Sequence, residues 1–137
     1  MRGFPECSSV TATVLLLSVV LAGCAHREAI TLHDGPLTLL NGHVLEQVSV
    51  RQYPNSQRLV VLFYRTRVSA RDCKSITAEV KGVWENYLRS EADRVGAHSA
   101  QVVPEDDTLL SVGFVFKRDN QGRWDERTLR ASCGPST

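Results

Sequence analysis

The chain has 137 residues with 16 basic and 15 acidic side chains, a net charge of +1 and 42% hydrophobic residues. A balance this close to neutral leaves no field to gather nucleic acid or an anionic surface, and the hydrophobic fraction excludes intrinsic disorder. The length suits one hydrophobic core, so a single folded domain is expected.

Residues 1–24 form the first unit. Arg2 gives a basic start, residues 10–22 are mainly apolar, and Ala22 and Gly23 are small. This is the layout of a secretory signal. The apolar stretch is interrupted by Thr11, Thr13 and Ser18 and is too short to span a membrane. Leu21-Ala22-Gly23-Cys24 closes it. That tetrapeptide resembles the lipobox of bacterial lipoprotein precursors, the family processed by signal peptidase II. The resemblance covers the first 24 residues. It implies cleavage before Cys24, a diacylglycerol on the Cys24 sulfur, and an acyl chain on the new amino group. Each buried methylene contributes about 0.8 kcal/mol, so two or more chains hold a protein stably on a bilayer. Ala25 stands where many Gram-negative lipoproteins retained in the inner membrane carry Asp. The resemblance therefore implies lipid anchoring to the outer membrane, facing the periplasm. The expected organisation is a signal peptide over residues 1–23, a lipidated tether over 24–36 ending in the turn signal Asp34-Gly35-Pro36, and one small α+β domain over 37–137.

Within the domain, residues 37–40 read as a short edge strand ended by Asn41-Gly42. Residues 43–52 place Val44, Val48 and Val50 on one parity and Gln47, Ser49 and Arg51 on the other, the mark of a strand with one wet face. Tyr53-Pro54-Asn55-Ser56 supplies a turn. Residues 58–68 are apolar on both parities through Tyr64, which predicts a central strand covered on both faces. Residues 72–95 carry the helical period: Ile76, Val80, Val83, Trp84, Tyr87, Leu88, Ala92 and Val95 fall on one stripe. Ser69 or Asp72 can cap the start, and Gly96 stands where a C′ glycine belongs. Gly82 costs about 1 kcal/mol relative to Ala in mid-helix and is expected to permit a close approach to the sheet. Residues 98–103 form a strand stopped at Pro104, and Asp106-Asp107 reads as a solvated turn. Residues 108–118 hold Leu110, Val112, Phe114 and Phe116 on one parity. Asp119-Asn120-Gln121-Gly122 turns the chain into a last strand over 123–131, around Trp124 and Leu129. The order β-β-β-α-β-β-β predicts an α+β fold, an antiparallel or mixed sheet of about five to six strands with one long helix packed on one face.

Of the four cysteines, Cys7 leaves with the signal and Cys24 takes lipid, so Cys73 and Cys133 remain. In an oxidising compartment these two are expected to pair. The bridge closes a loop of about 60 residues and contributes on the order of 4 kcal/mol in the chain-entropy model. It would pin the last strand to the start of the helix. His26, His33, His43 and His98 show no metal-ligand spacing, and no Cys-x-x-Cys, Gly-x-Ser-x-Gly or Gly-rich phosphate loop occurs. No metal, cofactor or catalytic set is therefore expected. If the even parity of the main strands meets the helix, the odd parity offers Arg51, Tyr53, Arg65, Arg67 and Lys117 around Phe63 and Val115. Basic groups interleaved with aromatics can grip an acidic partner or a glycan polymer. The alternative is a charged face that keeps the domain soluble. The functional expectation is a membrane-anchored, non-enzymatic module that binds an envelope protein or cell-wall glycan. The alternative expectation is a periplasmic inhibitor or immunity protein against a toxin or hydrolase.

Overall fold

A computed structural model describes residues 29–55 and 58–126. The expected signal peptide, the lipid site Cys24, Leu129 and Cys133 lie outside these residues. Six strands form one mixed sheet whose spatial order is the chain order. Strands β1 (Ile30–Thr38), β2 (Val44–Tyr53) and β3 (Leu59–Arg65) are antiparallel neighbours. A helix, α1, then crosses back so that β4 (Ser99–Glu105) lies parallel to β3. Strands β5 (Phe114–Arg118) and β6 (Trp124–Asp125) follow antiparallel. The structure is thus an α+β fold with its helix on one face of a mixed sheet, as the hydrophobic periods predict.

Helix α1 is α-helical over Cys73–Val83, widens to a π-helical turn over Trp84–Leu88, and returns to α-helix over Arg89–Arg94. Asp72 is the N-cap: its Oδ1 accepts the Ser75 N–H at 3.2 Å, while Ser69 Oγ accepts from Arg71 N instead. The C-terminus closes with paired bonds, Ala97 N–H to Ala92 O at 2.9 Å and Gly96 N–H to Asp93 O at 3.1 Å, around Gly96 at φ +70°. This is a Schellman motif, and its left-handed C′ position is why glycine stands there. The wide turn has a packing reason. Ile76, Val80, Trp84, Leu88 and Ala92 are all fully buried and recur every fourth residue. In an α-helix a four-residue spacing drifts by about 40° per step, so the stripe would rotate off the sheet. The π turn takes in an extra residue, with Arg89 N–H bonding Trp84 O five residues back, and turns the stripe back onto the sheet.

Under the helix lie Val48, Val50, Val60, Leu62, Tyr64, Ala100, Val102, Phe114 and Phe116. Trp84 stacks on Phe116 with centroids 4.0 Å apart and meets Trp124 edge-on at 5.0 Å. Even parity therefore faces α1 in β3, β4, β5 and the part of β2 beyond its bulge, whereas Leu37 of β1 and Leu45 of β2 join the core at odd positions.

Several expectations are corrected. Residues 30–36 are not tether but most of β1, paired with β2 from Ile30↔Gln52 onward. Asp34-Gly35-Pro36 is not a turn: the register shifts between Gly35 and Leu37, and Gly35 at φ +115° absorbs the bulge. Pro36 is tolerated because β1 is an edge strand whose outer donors need no ladder partner. Val44 is 52% exposed rather than inward, because a bulge between Glu46 and Ser49 shifts the alternation and buries Leu45 instead. β3 is central, and its face away from α1 is covered only in part: on its odd parity Val61 is 4% exposed, whereas Phe63 is 41% exposed. Gly82 makes no close approach to the sheet, since a Cβ there would meet open space. β4 continues through Pro104 to Glu105, its ladder carried by carbonyls that accept from Val112 and Thr66. Leu110 and Val112 lie outside β5, in the loop that precedes it.

Candidate functional site

The bulge that re-aims β2 also opens the molecule. Gln47 sits at φ +54°, and the β2–β3 ladder is interrupted between Glu46 and Ser49. Two adjoining clefts lie at this break. One, of about 370 Å³, is lined by residues that include His43, Val44, Glu46, Arg67, Glu79 and Asp107. The other, of about 350 Å³, is bordered by Phe63, Val103, Glu105 and Ser111. Gln47, Tyr64 and Arg65 border both. The clefts sit at the carboxyl ends of the parallel pair β3 and β4, where open α/β sheets commonly receive ligands.

The walls are fixed by two carboxylates. Tyr64 OH donates to Glu79 Oε1 at 2.8 Å, and Thr66 Oγ1 donates to the same oxygen at 2.6 Å. Thr66 Oγ1 in turn accepts the Val68 N–H at 3.0 Å, so the segment leaving β3 is tied to α1. Burial, reinforced by the Glu79 charge, pushes the Tyr64 phenol well above its ordinary range and keeps it a donor. The second carboxylate is Asp106. It is 3% exposed, not solvated as expected, whereas Asp107 is exposed at the cleft. Asp106 Oδ2 accepts the Ala70 N–H at 2.8 Å, and Oδ1 accepts from Thr108 N, Thr108 Oγ1 and Leu110 N. The Thr108 hydroxyl and then the backbone donors hold its carboxyl down to about 2. Its partner Ala70 lies 36 residues back in the chain, so sequence spacing carries no signal for this role.

The sequence-predicted face does not converge. Arg51 lies on the open face in the row Arg51, Val61, Gln101, Val115, and its Nε donates to Ser49 Oγ at 3.2 Å. Tyr53 and Lys117 share the row Tyr53, Leu59, Ser99, Lys117, with two strands between them, about 14 Å. Arg65 sits at the other end of β3, about 20 Å from that row. Arg67 lies past the end of β3, where alternation no longer applies, and lines the cleft with Glu79. Structure thus brings Arg65 and Arg67 together and leaves Arg51, Tyr53 and Lys117 spread over the sheet.

Arg65 is under-used. Its Nη1 is 3.7 Å from Glu105 Oε1, and its Nε is buried without an acceptor. Among the described residues no group of three metal-ligating side chains gathers. His33 turns its ring onto the Gly35 and Pro36 carbonyls of the β1 edge, and His43 is exposed at the cleft. Cys73, at the start of α1, is not a free thiol. No family model matches the chain, and no curated protein or solved structure matches it either.

Proposed function

We propose that this protein is a bacterial envelope lipoprotein, anchored through Cys24, whose domain works by binding an envelope protein on the sheet face away from α1. The observation that carries the reading is Phe63, an aromatic 41% exposed on the odd parity of β3. Exposed Phe63 and half-buried Val103 and Val115 lie across the middle of that face around buried Val61, with Arg51 and Lys117 beside them and Arg65 at its far end. Such a surface suits a partner with an apolar patch rimmed by carboxylates, because the apolar middle supplies area and the cations supply orientation. A protein is favoured over a glycan. The middle is aliphatic, and the two aromatics, Tyr53 and Phe63, stand in different rows with Val61 between them along the strands.

The anchor fits this use. β1 begins at Ile30, opposite Gln52, at the end of the sheet away from the clefts. Five residues separate Cys24 from Ile30, a reach of at most about 20 Å, so that end is held near the bilayer and the cleft end points outward. A Cys73–Cys133 bridge belongs to the same reading and is supported by the engaged state of Cys73.

Intact-mass analysis of native protein, reduced and unreduced, is expected to find residue 24 acylated with the leader gone and one further disulfide. A retained leader or a bare Cys24 overturns the anchoring. Crosslinking in the envelope is expected to capture a protein that Phe63→Asp releases at least about tenfold, with Tm within about 2 °C of wild type. Unchanged capture, or co-sedimentation with purified cell-wall sacculi in its place, overturns the protein-binding face.

A further inference from the structure

We propose that the cleft beside the β2 bulge is a second binding site, and that it takes an extended peptide segment carrying a carboxylate. This goes beyond the reading above, since it needs neither the lipid anchor nor the open sheet face. Four observations lead to it.

The first is unspent cationic capacity. Arg65 holds Glu105 only loosely, at 3.7 Å, and keeps a buried Nε without an acceptor. Arg67 is exposed on the cleft wall and has no side-chain partner among the described residues. A buried polar atom left unsatisfied in a folded protein calls for a reason, and an absent ligand is one. Two guanidinium groups at one site match a carboxylate, which accepts paired N–H donors from a planar fork.

The second is the sign of the surrounding charge. Glu46, Glu79 and Asp107 line the same cleft. They would repel a polyphosphate or nucleic acid. They repel a single carboxylate far less, Arg65 and Arg67 on the same lining offset that repulsion, and the amide N–H groups of a peptide can donate to the acidic side chains.

The third is an apolar margin. Val44, on the lining, is 52% exposed, and Leu109, two residues from Asp107, is 66% exposed. Leu109 is held at φ +67°, a conformation that side-chain-bearing residues rarely adopt. Backbone strain of this kind persists only where the surroundings enforce it, and it concentrates at functional positions. Here the bonds Leu109 N–H to Asp106 O, at 2.9 Å, and Leu110 N–H to Asp106 Oδ1 enforce it. An apolar side chain beside the carboxylate would meet Val44 on the lining, with Leu109 close in the chain to the cleft residue Asp107.

The fourth is preorganisation. The Tyr64–Thr66–Glu79 cluster fixes one wall and the Asp106 bonds fix the other, so the site loses little freedom when it is filled. Its volume of about 370 Å³ falls in the range of small-ligand sites.

The test is an NMR titration of the full-length chain, isotope-labelled in detergent micelles, with acetyl-Leu-Glu-Leu-amide, its Gln analogue and sodium acetate. The Glu peptide is expected to shift the amides of Arg65, Thr66, Arg67, Val68 and Asp107, saturating in the millimolar range. The Gln analogue is expected to bind at least about tenfold more weakly. Arg67→Gln, an exposed change that leaves the fold alone, is expected to weaken the Glu peptide several-fold, and Arg65→Gln more so. Absence of shifts in the wild-type chain overturns the proposal, as do equal shifts with the Gln peptide. Equal shifts with acetate reduce the site to a small-anion contact and overturn the peptide. Shifts centred on Phe63 instead of Arg67 overturn this site while supporting the open face.

Discussion

Two arginines at opposite ends of one sheet live in opposite circumstances. Arg118, at the end of β5, spends its whole guanidinium: Nε bonds Ala97 O at 2.9 Å, Nη1 bonds Gly122 O at 2.8 Å, and Nη2 bonds Asp93 Oδ1 at 2.7 Å. It also lies 4.2 Å from the centroid of the Trp124 ring, whose Nε1 shares Asp93 Oδ1. Arg65, at the cleft, has one loose ion pair and an orphaned nitrogen. The first arginine is consumed by the fold; the second remains available. A satisfied arginine staples loops that the backbone alone would leave apart, whereas an unsatisfied one marks a place where the molecule is incomplete by itself.

The comparison is broken most directly by removing each side chain. Arg118→Ala is expected to lower unfolding free energy by about 2–3 kcal/mol, and Arg65→Ala by less than about 0.5 kcal/mol, in urea denaturation. Similar losses for the two would erase the distinction. A smaller effect, about 5 °C in Tm at neutral pH, is expected for Asp106→Asn, which weakens the wall of the cleft without touching Arg118. This effect carries a sign in pH. Asp106 is held down to about 2 against an ordinary 3.8, and Asp93, Asp72 and Asp119 are also lowered. The native state therefore binds fewer protons than the unfolded chain. The stabilisation is present above about pH 4 and is lost as pH falls towards 2, so the Tm gap between wild type and Asp106→Asn should close over that window. The smallest change is a gain: Gly82→Ala should stabilise by about 0.5–1 kcal/mol, since a Cβ there meets open space and α1 prefers Ala. A loss at Gly82 would mean that α1 sits closer to its surroundings than the described contacts allow.

How much of this could be read from the chain depends on how far each signal reaches. The stripe of α1 and its C′ Gly96 are local signals, and so is the continuous apolar run of β3; these were legible. β1 was cut short because His33, Asp34, Gly35 and Pro36 look like loop residues, and only pairing with β2 makes them a bulged edge. The inward side of β2 was misjudged at Val44 because the bulge rests on Gln47, a residue type with no preference for positive φ. That same bulge makes the cleft, so the site was invisible for the same reason. Arg65 and Arg67 were picked out as cations on one parity, yet they meet because β3 ends between them, which no alternation rule reports. The stapling role of Asp106 needed knowledge of Ala70 across the fold.

The π-helical turn leaves the chain with one residue of slack. Dropping a solvent-facing residue such as Glu85 would turn the wide loop of backbone into an ordinary one and keep both halves of α1 seated, whereas a deletion elsewhere in the helix would swing one half through about 100° and pull Ile76 or Ala92 away from the sheet. What such a shortened chain would forfeit is the spare carbonyl of Asn86, which catches the Leu40 N–H at 3.2 Å and clasps the β1–β2 hairpin to the helix. Length tolerance in this protein is thus concentrated in a single turn, and its cost would be felt at a hairpin far away in sequence.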